Sequence, residues 1–307
     1  MTILYESKKS FHILLSTRGT VWGRVLPLAI IAVAITVGVY ELREADIDLT
    51  FPVTGHKMLS IMVAYLTVIR VNVAYNRFWE ARTILAKTLQ SARQLSIHVA
   101  AFTSGDTMSD GAIMWRAMLR QHMTHLVHST LYMIRHQEVT YDFVGVPKQN
   151  DGGASDGGET VDESYEERLN RRFQSIPALS YAIHKDIVMN KKFLEKPLSV
   201  LHENRLHQFM LDYEQMLYEL CKFQATPYPF PTSQMTRIVL FVWVFTLPLA
   251  LSSGVEEPYS TPVLMFFITV GFFGLEYISI ELDDPFGDDL NDLDTEEFTI
   301  VSSVNLY

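Results

Sequence analysis

Four long apolar stretches dominate the pattern of hydrophobic and polar positions along this chain. They are residues 24–41, 58–76, 238–255 and 260–280, and few charged side chains interrupt them. A helix of about 20 residues crosses the ~30 Å hydrocarbon core of a bilayer. The pattern predicts an all-α integral membrane protein with four transmembrane helices. Four buried helices of a large water-soluble protein are the alternative.

The region between the second and third stretches has apolar positions at helical spacing. Residues 77–103 continue the second stretch without Gly or Pro, which predicts one long helix that leaves the membrane. Further helices are predicted at 110–137, 164–191 and 197–224. Residues 146–163 are rich in Gly, Asp and Ser and poor in large apolar side chains, so they predict a flexible loop.

The charges that flank the four stretches predict the orientation. Basic residues precede the first span and follow the second, whereas the loops after the first and third spans are acidic. Both termini and the helical middle region are therefore expected on the cytoplasmic (or stromal) side. The chain divides into an N-terminal segment with two spans (1–76), a helical cytoplasmic region (77–236), two further spans (237–281) and an acidic C-terminal segment (282–307).

Composition narrows the function classes. The chain has 48% hydrophobic residues and a formal net charge of −10, which argues against a nucleic-acid partner. Residues 281–297 hold nine acidic and no basic side chains, so the rest of the chain carries only about one net negative charge. A single cysteine, Cys221, excludes an intramolecular disulfide. No catalytic signature motif is present, so we do not expect an enzyme.

The second span carries an arginine inside its apolar run. A charge at mid-bilayer depth is unfavourable by about 3 kcal/mol, so Arg70 must face protein or water. Glu276 in the fourth span is a partner for Arg70, a neutraliser of another membrane arginine, or an interfacial residue. The sequence leaves these alternatives open.

Ile61, Tyr65 and Ile69 form a stripe on the same span, because residues four apart lie on one helix face. Such a stripe is most often ordinary packing. Arranged around a symmetry axis, the same stripe forms a narrow hydrophobic constriction, which is a known type of gate.

Four short motifs, in order along nearly the whole chain, resemble those of the bestrophin family. They are RGT at 18–20, RVNVAYNRFWEAR at 70–82, TPYPF at 226–230 and DDPFGDD at 283–289. The chain is similar to bestrophins and their bacterial and plant or algal relatives. The resemblance implies a homopentameric ion channel in a lipid membrane, with a single axial pore.

The resemblance also implies which residues line the pore. The family's narrow neck is formed by three residues of the second span, which correspond here to Ile61, Tyr65 and Ile69. Tyr65 departs from the phenylalanine that is common in the family, and its hydroxyl adds a hydrogen-bonding group to an otherwise apolar ring. A second constriction, the cytosolic aperture, corresponds to Leu201 or Leu198, depending on which motif sets the alignment.

A calcium site is a further implication, because animal members of the family bind calcium at the acidic motif. Oxygen ligands suit Ca²⁺. One ligand is expected from the N-terminal segment of a neighbouring chain, and Asp284 replaces an asparagine of the family. A solvated acidic segment is the alternative. The corresponding positions are the Glu281 carbonyl, Asp284, Asp289, Asp292 and a backbone carbonyl near Ile3 or Leu4.

The expected function is that of an anion channel with a hydrophobic neck and calcium-linked gating. Chloride is the first expected permeant ion and bicarbonate the second. The alternatives are a cation-selective channel of the same family, a non-conducting membrane scaffold, and a membrane enzyme that uses Glu276 and a histidine cluster. That cluster, His122, His125 and His128, does not share one helix face, which argues against a metal site.

Overall fold

The computed structural model describes residues 19–47, 53–105, 109–135, 163–252, 260–287 and 289–294, with side chains from residue 176 onward in the fourth of these ranges. Every regular element within these ranges is helical. A short 3-10 helix, Met189–Lys192, follows α4. The α-helices are α1 (Trp22–Glu44), α2 (Val53–Phe102), α3 (Asp110–Arg135), α4 (Glu163–Val188), α5 (Val200–Ala225), α6 (Phe230–Leu251) and α7 (Ser260–Asp283).

The four predicted spans are confirmed as helices. α1, α2, α6 and α7 are each long and apolar enough to cross a membrane. The predicted extension of the second span is also confirmed, because α2 is one uninterrupted helix of 50 residues and about 75 Å. The predicted loop at 146–163 lies outside the described residues, except for Glu163, which begins α4.

The described chain forms two compact units. The first contains the described residues up to Glu80 together with Pro227–Leu293. Its core contains apolar side chains from all four spanning helices, among them Ala32, Val63 and Phe273. Small residues such as Ala32 allow helix backbones to approach closely, which favours packing between membrane helices.

The second unit contains the described residues of Ala81–Thr226. Trp115 of α3 is fully buried, and its indole Nε1–H donates a 2.7 Å hydrogen bond to the carbonyl oxygen of Asp186. Tyr213 of α5 is also buried and shares a 2.8 Å hydrogen bond with the Thr130 hydroxyl. Both buried polar groups therefore have the hydrogen-bond partner that a buried polar group requires.

Candidate functional site: the second span and the acidic loop

Two of the three predicted neck residues lie on a face of α2 that the rest of the described chain leaves largely uncovered. Ile61 is 68% exposed and Tyr65 is 66% exposed, whereas Ile69 is half-buried. Asn72 and Asn76 lie on the same side further along the helix and are also exposed. The apolar stripe is therefore followed by polar amides that can hydrate a pathway.

The opposite face of α2 is buried. Val63, Thr67, Arg70 and Ala74 recur every three or four residues and are all buried. This face packs into the unit, while the stripe that contains Tyr65 faces away from it. One face of α2 therefore packs against the rest of the unit, and the other face carries the exposed stripe.

Arg70 is buried, and its polar partners are buried or half-buried. Its Nε–H donates to the Ser279 hydroxyl of α7 at 3.0 Å, and its Nη1 donates to the Ser233 hydroxyl of α6 at 2.7 Å. The guanidinium also lies over the ring of Tyr228, 5.3 Å from its centre. These contacts replace the hydration that Arg70 loses when only 4% of its side chain stays exposed.

Glu276 is the counter-charge for two arginines. Its Oε2 lies 3.0 Å from Arg70 Nε, and its Oε1 accepts a hydrogen bond from Arg237 Nε at 2.8 Å. Only 3% of the Glu276 side chain is exposed, whereas 43% of the Arg237 side chain is exposed. Of the alternatives that the sequence left open, Glu276 is a partner of Arg70 and at the same time of a second arginine, and it is not an exposed interfacial residue.

The acidic loop that follows α7 folds back toward the start of α1. The Asn291 side-chain amide donates to the carbonyl oxygen of Gly19 and to Glu281 Oε2, both at 3.0 Å. Arg24 of α1 lies 3.6 Å from Glu281 Oε1 and 3.8 Å from Asp289 Oδ1. A cation of the chain itself therefore already faces one predicted calcium ligand, Asp289, and the side chain of Glu281, whose backbone carbonyl is another.

The loop supplies part of a site for a hard cation. A Cβ atom at Gly287 would lie 2.9 Å from Asp292 Oδ2 and 3.2 Å from Asp284 Oδ2, so two carboxylates converge on this glycine. Burial raises the pKa of Asp292 to about 6, and the negative charges of Asp289, Asp284 and Glu281 act in the same direction. A bound cation would relieve this repulsion.

The coordination sphere is nevertheless incomplete among the described residues. No group of three or more His, Cys, Asp or Glu side chains there is arranged to hold a metal ion. Asp289 faces Arg24, and its backbone N–H donates to Asp292 Oδ2 at 2.6 Å. The expected carbonyl near Ile3 or Leu4 lies outside the described residues.

The two leucines proposed for the aperture differ sharply in exposure. Leu198 precedes α5 and is 8% exposed, while Leu201 in the first turn of α5 is 76% exposed. The backbone N–H of Leu198 donates to the side-chain oxygen of Asn190. Leu198 therefore belongs to the packing of the second unit, and Leu201 is available to an external surface.

The histidine cluster on α3 does not assemble. His122 Nδ1 lies 2.7 Å from Asp186 Oδ2 of α4, where it completes a contact within the second unit. Among the described residues, the three histidines are not grouped with other ligands into a metal site.

These features define a multi-pass helical membrane protein with one two-faced spanning helix and an acidic loop next to its bundle. Residues 2–306 match the family described as bacterial/fungal bestrophin protein. The chain belongs to this bestrophin family, which confirms the resemblance drawn from its motifs.

Relatives and solved structures agree with this assignment. A voltage-dependent anion channel-forming protein of Nostoc sp. is 24% identical over 296 residues, covering 93% of this chain and 87% of that protein. A protein of the same description from Synechocystis sp. is 21% identical over 294 residues, covering 96% of this chain and 89% of that protein. The crystal structure of a variant of a bacterial bestrophin homologue from Klebsiella pneumoniae has a TM-score of 0.72 at 19% identity and covers 94% of this chain and 98% of that chain.

Sequence reasoning missed several residues of the buried network. Four partners in this network were not predicted from the sequence, namely Arg237, Ser233, Ser279 and Tyr228. The signal for Arg237 was its position, because an arginine one residue before an apolar stretch lies within reach of charges at that end of the neighbouring spans. The hydroxyl partners carry no comparable signal.

Proposed function

We propose that this protein is a homopentameric anion channel whose pore is narrowed by Ile61, Tyr65 and Ile69. The observation that carries the proposal is the exposed stripe on α2, which lies opposite the buried face of the same helix. Exposed large apolar side chains on a spanning helix face lipid, a neighbouring chain or a pore. The family assignment and the anion channel-forming relatives support the pore.

In this proposal the neck acts as a hydrophobic gate. Apolar rings from five chains exclude water when the constriction is narrow, so an ion must lose hydration to pass. The Tyr65 hydroxyl supplies one hydrogen bond donor per chain to a passing anion. Leu201, rather than the buried Leu198, lines the cytosolic aperture, and both termini lie on the cytoplasmic side.

We also propose that calcium stabilises the acidic loop. Asp284 and Asp292 would hold it, together with the Glu281 carbonyl, Asp289 and a carbonyl of a neighbouring chain. When bound, the ion neutralises carboxylates that otherwise repel one another. The two carboxylates that converge on Gly287 and the raised pKa of Asp292 support this part of the proposal, and Arg24 is the competing cation.

Planar-bilayer recording of the purified protein tests the channel proposal. A gradient of KCl across the bilayer should give currents that reverse near the chloride equilibrium potential, and replacing chloride by bicarbonate should leave a smaller current. Reversal near the potassium potential would identify a cation channel. Pentamers without current at any calcium level would identify a scaffold and refute the channel.

Calcium linkage is tested in the same recordings. Adding calcium after chelation should raise the fraction of time that the channel conducts, and Asp292→Asn should weaken this response while Arg24→Gln should strengthen it. Isothermal titration with calcium alone gives an independent readout of binding. An identical response in wild type and Asp292→Asn would refute the calcium site.

A further inference from the structure

The buried back of the neck helix carries two arginines seven residues apart. Arg70 and Arg77 lie about two helical turns, or ~10 Å, apart on α2. Both lie on the side opposite Tyr65, since seven residues return almost to the same face. The charged positions therefore share the helix with the proposed neck but point away from it.

α7 presents two carboxylates with the same spacing. Arg70 Nε lies 3.0 Å from Glu276 Oε2, and Arg77 Nε lies 3.5 Å from Asp283 Oδ1. The Arg77 Nε–H also donates to the backbone carbonyl of Asp283 at 3.3 Å. We call these two contacts the ion ladder. The two arginines are seven residues apart on α2, and their two carboxylate partners are seven residues apart on α7. Both contacts therefore form in the same register of the two helices, and a shift of α2 along α7 by one turn would break both.

The ladder is better suited to positioning than to stability. Removing buried charges from water offsets most of their mutual attraction, and the best-attested use of a buried ion pair is to fix the register of packed helices. Arg237 of α6 also bonds Glu276, so the first rung ties three helices together. The second rung is less buried, with 18% of the Arg77 side chain exposed.

The second rung adjoins the acidic loop directly. Asp283 is the last residue of α7, and Asp284 is the first residue of the loop. The Asp283 carboxylate interacts favourably with Arg77, Arg70 and Arg237, and unfavourably with Asp284. A change of charge or position in the loop therefore affects the contact between Asp283 and Arg77 most directly, and this contact lies on the side of α2 that faces away from Tyr65.

We propose that the Arg77–Asp283 rung is a positioning contact that transmits the state of the acidic loop to the neck on the opposite face of α2. This inference rests on the proposed function, since it assigns the neck to Ile61, Tyr65 and Ile69. Arg77 and Asp283 act through the helix and do not touch the permeant ion.

A double-mutant cycle in planar bilayers tests the coupling. Arg77→Gln and Asp283→Asn should each change the open fraction of the channel in the same direction, by about two- to thirty-fold. The effect of the double variant should fall short of the product of the two single effects, because both substitutions remove the contact between Arg77 and the Asp283 carboxylate. The reversal potential should not move. Glu219→Gln is the matched control, since it removes an exposed pair with Lys222 on α5 and should behave as wild type.

A second readout does not depend on current. In a Cys221→Ser background, Tyr65→Cys places a single thiol at the neck, and its rate of modification by a water-soluble reagent reports exposure of that face. Asp283→Asn should change this rate by a similar factor without altering the elution volume of the protein in size-exclusion chromatography.

The outcomes separate the two proposals. A wild type without current but with a rate that depends on Asp283 would refute the channel and keep the coupling. Conducting variants with wild-type open fraction and unchanged thiol rate would overturn the coupling alone. Effects that multiply in the double variant, or a shift confined to the reversal potential, would also overturn it.

Discussion

Tyr65 is the residue whose chemistry most distinguishes this proposed neck. Two isoleucines flank it on the stripe, and neither has a hydrogen-bonding side chain. Tyr65→Phe keeps the ring and removes the hydroxyl, whereas Tyr65→Ala removes both. We expect Tyr65→Ala to raise the single-channel conductance, because the constriction widens, and Tyr65→Phe to lower the open fraction, because the neck becomes harder to hydrate. Single-channel recordings of the two variants measure both quantities. Wild-type behaviour in both would contradict a neck at this position.

Glu276 offers a second prediction at the level of one residue. Glu276→Gln keeps the size of the side chain but removes the carboxylate charge that contacts both Arg70 and Arg237. Leaving a buried charge uncompensated lowers the free energy of unfolding by about 3–5 kcal/mol. Thermal unfolding in detergent should therefore show a clearly lower midpoint. Glu219→Gln should leave the midpoint within about 1 °C of wild type, because exposed pairs contribute little. An unchanged midpoint for Glu276→Gln would show that the network is not a structural requirement.

Individual helices make contacts that a single methyl group would disturb. Gly111 lies in the first turn of α3, and a Cβ atom there would overlap the carbonyl oxygen of Phe193. The obstacle is backbone, so it cannot rotate away. Gly111→Ala should lower the free energy of unfolding by about 1–3 kcal/mol, as overpacked sites do. Denaturant unfolding followed by tryptophan fluorescence measures the loss. Gly105→Ala, where a Cβ meets open space, should have little effect.

The contact between α4 and α5 should respond to pH. His184 and His207 stack with their Nδ1 atoms 2.7 Å apart, and His184 Nε2 lies 3.2 Å from Glu214 Oε1. Burial lowers the pKa of His207, and the charge of His184 lowers it further, while Glu203 acts in the opposite direction. Below the usual histidine pKa of about 6.5, the unfolded chain therefore takes up a proton that the folded chain resists.

The contribution of this contact to the free energy of unfolding should be largest above pH 7. It should decrease as the pH falls through about 6.5 toward the lowered pKa of His207. Unfolding midpoints at pH 7.5 and 5.5 measure the difference. His207→Gln should reduce the difference, because it removes the group that titrates. An equal pH dependence in the wild type and the variant would assign the effect to other groups.

The elements of the fold were more predictable than their partners. The four spans were predicted from long apolar stretches, and the unbroken α2 was predicted from helical spacing without Gly or Pro. Both signals are local properties of the sequence. The partners of Arg70 were not accessible in this way, since Ser279 and Ser233 are 209 and 163 residues away along the chain. The choice between Leu198 and Leu201 required the exposed fraction of each side chain in the structure. The sequence does not show which of these two leucines faces the packed side.

At the scale of the whole molecule, the described part of the chain leaves the stripe on α2 largely uncovered. Ile61 and Tyr65 face away from the unit, and so does Ile30 on α1. In a pentamer these exposed residues fall into two classes, those that approach the symmetry axis and those that face lipid or a neighbouring chain. Native mass spectrometry in detergent should give the mass of five 35.1-kDa chains. A monomeric or dimeric mass would remove the basis for a shared pore.

Proximity to the axis has its own test in the same preparation. In a Cys221→Ser background, Tyr65→Cys should form disulfide-linked dimers on mild oxidation, because thiols from different chains meet at a narrow neck. Ile30→Cys is the matched control, since it is similarly exposed on a different spanning helix. Cross-linking at Tyr65→Cys that exceeds the control at least several-fold would support convergence of α2 on a common pore. Equal cross-linking, or none at Tyr65→Cys in a verified pentamer, would place the stripe against lipid instead, because thiols separated by bilayer rarely come within disulfide distance.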